Sequence, residues 1–358
     1  MTRYRERPTM EDVMQPILSL GEFFTRVGAS ARFYTLGRQV APCPASILSA
    51  FEAGDLAWPW PWLDHAQFAC IFQIGDRDDP LIWFLSLPLD EQGLLDPAPR
   101  DAFLQRLLET LGATASPDTD HSAKRIDNLM QDNPLTFTPN MTQRAMLHAH
   151  ASHDLARAAS EHFESADAYL TGQTPEEQWQ TLGLQGVADF VVRHDDQQGN
   201  ELALRLPALP LEVLRPLCHC LEHKPLSDAL TRSLIERGEQ AALEGDIETF
   251  CGCVRAVGQS DKEIVGAWYD ELLEDSAACG PDLLAAIAAR GWPQLEDAER
   301  LPRFIERLAQ DEGTHFAMMI RSLALIPRLR LPLLISLRQA DQESQTRQRL
   351  NQFSPGRT

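Results

Sequence analysis

The residues best suited to metal or acid–base chemistry lie in one predicted helix. His148, His150, His153 and Asp154 stand close together there, and imidazole and carboxylate groups are common ligands of divalent metals. Since a helix turns by about 100° per residue, His148 and His150 diverge by about 200°, whereas His150 and His153 lie about 60° apart. His150, His153 and Asp154 therefore form a weak candidate metal site, because a structural zinc ion takes four ligands. A polar helix face is the other interpretation.

His153 also raises an enzymatic hypothesis. His153-Asp154, followed later by His194-Asp195, resembles the His-Asp pair of the all-α HD-type metal phosphohydrolases. Those enzymes need a further His and a further Asp on other helices, for which His121 and Asp246 are candidates that no motif distinguishes. A metal-dependent phosphohydrolase is therefore the alternative function. No GxSxG, Walker, GxGxxG or HExxH pattern occurs, so the sequence predicts no cofactor and favours a protein that is not an enzyme.

Four cysteines form two Cys-x-Cys pairs, Cys218 with Cys220 and Cys251 with Cys253. On a helix, the two members of such a pair point about 200° apart, and the spacing differs from the Cys-x-x-Cys of zinc knuckles. We expect these residues to be buried thiols that behave as small apolar side chains. Seven cysteines in a chain without secretory features indicate reduced thiols in the cytoplasm.

A segment of alternating tryptophan and proline is a candidate binding patch. In Trp58-Pro-Trp60-Pro-Trp62 the prolines favour an extended backbone that carries three large apolar side chains. The tryptophans either bind a partner or pack across the core of the protein.

Two acidic residues, Asp90 and Glu91, directly follow a predicted strand and lead to Gly93. This arrangement is typical of a turn that leads into a helix. The alternative is a polar site at a domain junction.

Charge is distributed unevenly along the chain. The net charge is −20, yet residues 321–358 carry seven arginines and two acidic residues. An acidic chain gains no counterion release on nucleic acid and is repelled by anionic membranes, so a nucleic-acid partner that binds the arginine-rich end is the weaker hypothesis. That end is either a solvated helix or a docking surface for something acidic. The candidate surface consists of Arg321, Arg328, Arg330 and Arg338.

No apolar run reaches the roughly 18 residues that a membrane-spanning helix needs. The N-terminus also lacks the apolar segment of a secretory signal. We therefore expect a cytoplasmic protein that makes no use of a membrane.

The first third of the chain predicts a small α+β module over residues 1–112. Helical spacing covers residues 17–27, and residues 31–40 favour a strand. Residues 69–74 and 81–87 form strand-like runs around a turn-rich loop, which predicts a β-hairpin. Residues 100–111 form an amphipathic helix that Gly112 ends. Residues 113–139 form the linker.

The rest of the chain predicts helices. Residues 140–172 read as one long connecting helix, residues 173–345 as an array of helical hairpins of HEAT or TPR type, and residues 346–358 as a flexible tail. Apolar residues recur at an offset of 33, with three columns at helical spacing i, i+3 and i+4. The first column is Leu184, Leu217, Phe250, Leu283 and Phe316, and the column assigned to each second helix is Leu202, Ile235, Trp268, Leu301 and Leu334. A helical array without a true repeat is the alternative.

Several segments resemble an uncharacterised bacterial family of similar length, the domain of unknown function 3549. Residues 82–112 and 133–149 carry the resemblance, residues 217–223 and 283–292 fit more loosely, and the sharpest motif is Pro88-Leu-Asp-Glu-Gln-Gly93. The resemblance covers almost the whole chain. It implies no activity, cofactor or catalytic residue.

The architecture favours a non-enzymatic scaffold or adaptor. A mainly α chain, with a small α+β module before a helical-hairpin array, offers extended surfaces that bind proteins or peptides. We therefore expect the partner to be another protein.

Overall fold

In a computed structural model, which describes residues 17–73, 80–112, 130, 133–275 and 279–353, the chain divides into two units. The N-terminal unit comprises Met1–Thr35, Pro42–Trp58 and Asp64–Thr138. The helical unit comprises Pro139–Thr358 together with two short segments, Leu36–Ala41 and Pro59–Leu63. The fold is mainly α with a small sheet in the N-terminal unit, as the sequence predicts.

A four-stranded sheet organises the N-terminal unit, with strand order β2-β1-β3-β4. The predicted hairpin is confirmed, since β3 and β4 pair antiparallel from His65↔Pro88 to Phe72↔Leu81, while its turn lies outside the described residues. β3 also pairs antiparallel with β1. The elements are α1 (Leu20–Arg26), β1 (Ser30–Thr35), β2 (Ala41–Cys43), α2 (Ala45–Glu52), β3 (His65–Gln73), β4 (Leu81–Pro88) and α3 (Pro97–Gly112).

Aromatic side chains build the core of this unit. Trp83 on β4 contacts Phe72 on β3 with ring centroids 4.6 Å apart, and Phe24 on α1 lies 4.7 Å from Phe72. Phe103 on α3 meets Trp83 edge-on at 6.1 Å. Because alternate residues of a strand point to opposite faces, Trp83, Leu85 and Leu87 all point into this core, where they are buried.

The expectation of one helix over residues 140–172 is wrong. The structure has α4 (Met141–Asp154) and α5 (Phe163–Leu170). The first helix ends because Ala156 adopts a left-handed conformation, with φ of 51°, a common way to close a helix. The guanidinium of Arg193 then donates to the carbonyl of Arg157, and Asp189 accepts the Ser160 N–H, so side chains of Leu184–Arg193, the α-helix that comes after α5, fix the break.

Five successive helix pairs follow. Each first helix packs against the first helix of the next pair, and each second helix packs against the next second helix. The first helices are α6 (Leu184–Arg193), α8 (Leu211–Leu221), α10 (Ile247–Val257), α12 (Pro281–Ala289) and α14 (Phe316–Ala324). The second helices are α7 (Asp196–Arg205), α9 (Asp228–Glu244), α11 (Lys262–Glu274), α13 (Arg300–Gln310) and α15 (Pro327–Gln339). Short 3₁₀ helices cover Glu176–Thr181, Leu206–Ala208 and Trp292–Glu296.

The predicted apolar columns describe the cores of the earlier pairs better than the last. Leu217, Phe250, Leu283 and Phe316 are buried in the first helices, as Leu202, Trp268 and Leu301 are in the second helices. Leu334 on α15, the last member of the column assigned to the second helices, is exposed. The last pair therefore exposes a position that is buried or half-buried in the earlier pairs.

The predicted flexible tail is helical in its first part. α16 (Gln345–Phe353) packs against α13, where the Thr346 hydroxyl donates to Glu306 Oε2 at 2.6 Å and Arg349 Nε donates to the Ala309 carbonyl at 3.0 Å. These contacts satisfy side chains that the sequence alone assigns to solvent. Residues 354–358 lie outside the described residues. Across the described ranges, every helix is too short or too polar to cross a membrane.

Candidate interaction surface

One helix of the last pair, α15, has two apolar faces. Leu329, Leu333 and Leu337 recur every four residues and are buried, which is the pattern of a helix that packs one stripe on a core. Leu331, Leu334 and Ile335 are also apolar, yet 66%, 50% and 45% of their surfaces remain exposed. A contiguous exposed apolar patch is a mark of an interaction site.

Arginines frame this second face. Arg328, Leu331, Ile335 and Arg338 are spaced by three, four and three residues, which places them on one side of the helix. Arg328 approaches Glu296 at 3.6 Å, but its side chain is 78% exposed, so this surface pair binds it weakly. Arg338 is also exposed. We call Arg328, Leu331, Leu334, Ile335 and Arg338 the α15 stripe.

Of the other predicted arginines, Arg321 is exposed on α14, the first helix of the same pair. Arg330 is half-buried on α15 and points about 200° away from Arg328. The predicted surface is therefore divided, and the α15 stripe itself includes Arg328 and Arg338 but not Arg330.

A groove of about 720 Å³ lies beside the stripe, between α13 and α15. Its walls are mainly apolar, with Leu301 and Ile305 on α13 facing Pro332 and Ile335 on α15. Ile335 belongs to both the groove and the stripe, so the two features form one continuous surface. The volume of the groove falls within the range of about 300–1,000 Å³ that is typical of ligand-binding clefts.

The one glutamate among the groove-lining residues is committed to internal hydrogen bonds. Glu306 accepts from the Thr346 hydroxyl at 2.6 Å and from the Gln345 N–H at 3.1 Å. These bonds tie α16 to α13 and close one end of the groove. The groove therefore offers apolar walls, while the basic side chains stand along the neighbouring stripe.

A second concentration of charge is buried in the helical unit, around Glu222 at the end of α8. Its carboxylate accepts from Arg290 Nε at 2.7 Å and from Arg255 Nε at 3.1 Å. Arg290 also donates to the carbonyls of Gly37 and Arg38, and its guanidinium lies 5.3 Å from the centre of the Trp62 ring. The short segments 36–41 and 59–63 thus join the helical unit through one arginine.

Two more residues complete what we call the Glu222 cluster. Arg38 donates to the Ala288 carbonyl at 2.7 Å and to the Ser322 hydroxyl at 2.8 Å. His223 Nδ1 accepts the Val40 N–H at 3.3 Å. The cluster comprises Arg38, Glu222, His223, Arg255 and Arg290.

Burial sets the protonation of this cluster. It lowers the pKa of His223 to about 3, with Arg290 adding to the effect, so this histidine is neutral at pH 7. Burial, with Arg290 beside it, lowers the pKa of Arg38 to about 9. Burial alone would raise the pKa of Glu222, but the neighbouring charges, Arg290 foremost, hold that pKa below its usual value. The cluster is therefore a buried, internally hydrogen-bonded network with a structural role.

The predicted metal ligands do not converge. His153 is exposed, whereas His150 is half-buried and burial lowers its pKa. Asp246 instead caps α10 and pairs with Arg215 at 2.9 Å, while His121 lies outside the described residues. Within the described ranges, no group of three or more His, Cys, Asp or Glu side chains could hold a metal ion.

The cysteines are unpaired thiols, six of them buried. Burial raises the pKa of Cys43 to about 12 and that of Cys251 to about 11, and raises that of Cys220 further. Thiols that remain protonated are poor metal ligands and poor nucleophiles. Their environment therefore fits a packing role.

The tryptophan segment contributes less surface than expected. Trp58 cannot belong to an interaction surface, because it is fully buried, with its ring 5.0 Å from Phe51 and 5.7 Å from Phe68. Trp60 and Trp62 are half-buried in the helical unit.

Asp90 builds a turn. Its Oδ1 accepts from the N–H groups of Gln92 and Leu94 at 2.7 and 2.9 Å. Gly93 supplies the left-handed backbone, with φ of 77°, that the turn needs. Glu91 is exposed on the same turn.

Sequence reasoning missed the three apolar residues of the α15 stripe. Leu334 was assigned to a core column, and Leu331 and Ile335 were not singled out. A signal was present, because Leu331 and Ile335 lie between two arginines at the spacing of one helix face.

The fold defines the chain as a mainly α protein of paired helices with a small antiparallel sheet module. The family comparison agrees with the resemblance found in the sequence. The chain belongs to the family described as protein of unknown function, DUF3549, whose model matches residues 15–354. No curated protein and no solved structure matches the chain.

Proposed function

We propose that this protein is a non-enzymatic protein–protein interaction scaffold that binds its partner on the α15 stripe and the adjoining groove. One observation carries the proposal. Three apolar side chains lie exposed between two arginines, beside an apolar groove of about 720 Å³. In a chain whose net charge is −20, this basic and apolar face is a local exception.

The chemistry of the face specifies the partner. Burying each exposed Leu or Ile side chain contributes up to about 1.5–3 kcal/mol, which supplies affinity. The arginines select for acidic groups and speed encounter. The best fit is an amphipathic helix, with an apolar row for the groove and acidic residues along its edge.

The helix pairs support the HEAT-like or TPR-like part of the proposal. Lys224 Nζ donates to the Val191 carbonyl, and Arg255 Nε donates to Glu222, in both cases between residues 33 positions apart. A recurring offset between contacts is typical of stacked repeats. Buried thiols such as Cys220 and Cys253 fit a reducing compartment such as the cytoplasm.

Photo-crosslinking tests the proposal. A photoreactive residue would replace Ser336 in the groove, and in a control chain it would replace Met141, an exposed methionine at the start of α4. Crosslinked partners from the native cells would be identified by mass spectrometry, with and without nuclease. We expect one protein to crosslink through position 336 and not through position 141.

Purified partner and purified chain would then be titrated against each other. Leu331→Glu with Ile335→Glu should abolish binding, while Met141→Glu should leave it intact. Equal binding by both variants would exclude the stripe as the site. If a nuclease-sensitive nucleic acid crosslinked at position 336 instead, the hypothesis of a nucleic-acid partner would replace that of a protein partner.

A further inference from the structure

A second groove, between α9 and α11, carries charge opposite to that of the α15 stripe. It encloses about 430 Å³, and Ile235, Ile264 and Trp268 line its apolar floor. Its rim carries four exposed glutamates, Glu236, Glu239, Glu263 and Glu271, and one exposed arginine, Arg232. Within the part of the chain that the structure describes, none of these glutamates forms an ion pair. The groove therefore combines an apolar centre with an edge that is acidic by three charges.

We infer that the partner of the α15 stripe is a second copy of this chain, bound through its α9–α11 groove. The inference rests on the proposed function, since it names the occupant of the same site. Leu331, Leu334 and Ile335 of one copy would cover the apolar floor. Arg328 and Arg338 would face the glutamates of the other copy.

The spacing of the charges agrees with this pairing. Arg328 and Arg338 are ten residues apart, which is about 15 Å along a helix, and Glu263 and Glu271 are eight residues apart, which is about 12 Å. The difference lies within the reach of flexible arginine side chains. Glu263 and Glu271 would each gain a charged partner from the other copy, so charges of opposite sign would meet across the contact.

The two surfaces are different, so the contact is heterologous. Each copy keeps a free stripe at one end and a free groove at the other, and association leads to head-to-tail oligomers rather than a closed two-fold dimer. A single helix of 13 residues presents less than the roughly 800 Å² per partner of a standard interface. We therefore expect weak, concentration-dependent association.

Two variants of the full chain, one blocked at the α15 stripe and one blocked at the α9–α11 groove, test the inference by sedimentation velocity. The stripe variant carries Arg328→Glu and Arg338→Glu, and the groove variant carries Glu263→Lys and Glu271→Lys. Wild type should associate as concentration rises, and each variant alone should stay monomeric. An equal mixture should associate again, because the intact stripe meets the intact groove and the reversed charges of the two variants also complement each other.

A control carries Glu164→Lys and Glu312→Lys, which change the net charge as the groove variant does but lie outside both surfaces. It should associate like wild type, and circular dichroism should show all variants folded. A monomeric wild type, or a mixture that stays monomeric, would overturn the inference. The proposed function would still stand if a different protein crosslinked at position 336 and lost binding with Leu331→Glu and Ile335→Glu.

Discussion

Arginine plays opposite parts in two regions of the helical unit. In the Glu222 cluster, Arg290 is buried and donates to one carboxylate and two backbone carbonyls. On the α15 stripe, Arg328 has one distant carboxylate at 3.6 Å and is mostly in water. A buried charge that loses its partner costs several kcal/mol, whereas an exposed pair contributes at most about 1 kcal/mol. The first region therefore uses arginine for stability, and the second keeps it available for recognition.

The largest expected effect comes from breaking the buried network. Arg290→Met removes a partner from Glu222 and leaves the carbonyls of Gly37 and Arg38 without their donor. We expect the free energy of unfolding to fall by about 3–5 kcal/mol, measured by urea denaturation. Arg328→Met is the matched control and should change it by less than about 1 kcal/mol. Similar losses of unfolding free energy in both variants would contradict the assignment of Arg290 to stability and of Arg328 to recognition.

Two leucines of α15 test the same contrast between buried and exposed side chains, here with uncharged residues. Leu333 is buried and Leu331 is exposed on the same helix. Leu333→Ala should lower the free energy of unfolding by about 2–5 kcal/mol, because it leaves a cavity. Leu331→Ala should change it by no more than about 0.5 kcal/mol. If Leu331→Ala proved as costly as Leu333→Ala, the stripe would be part of the core.

The histidine of the Glu222 cluster predicts a pH dependence. The pKa of His223 is about 3 in the folded chain and 6.5 when exposed, so between these values the unfolded state binds a proton that the folded state does not. Stability therefore falls as the pH falls through this window, by up to about 1.4 kcal/mol per pH unit. The groups that face His223 are Glu222, Arg290, His150 and His219.

His223→Asn tests this dependence, because an amide oxygen can replace Nδ1 as the acceptor of the Val40 N–H. Urea denaturation between about pH 7 and pH 5 covers a range in which Glu222 stays ionised. The variant should be less stable at pH 7, and its difference from wild type should narrow toward pH 5. If the free energies of unfolding of the variant and wild type changed in parallel with pH, His223 would not be the source of the pH dependence.

Local patterns explain which parts of the fold were predictable. The β3–β4 hairpin and the helix pairs follow from periods of two and 3.6 residues, which a sequence displays directly. The break at Ala156 was missed because it contains neither Gly nor Pro, and contacts from Arg193 and Asp189 on α6 fix it. Tertiary contacts decide such boundaries.

Long-range contacts explain the rest. Residues 36–41 join the helical unit through Arg38, whose partners Ala288 and Ser322 lie 250 and 284 residues away, and no local pattern encodes such a contact. The arginines of the stripe were predictable from composition. The exposure of Leu334 was not, because its column position matches buried residues and only its place in the last pair distinguishes it.

The smallest expected effect on stability accompanies a specific effect on binding. Arg328→Glu should leave the free energy of unfolding within about 1 kcal/mol of wild type, since its contact with Glu296 is long and exposed. The same change should weaken association at the α15 stripe by at least about tenfold, because it places a carboxylate opposite acidic groups. Titration of the purified binding partner measures this loss, and Arg144→Glu, at an exposed arginine on α4, is the control. Because Arg290→Met changes stability and Arg328→Glu changes only association, the pair separates arginines that hold the fold from arginines that recognise a partner.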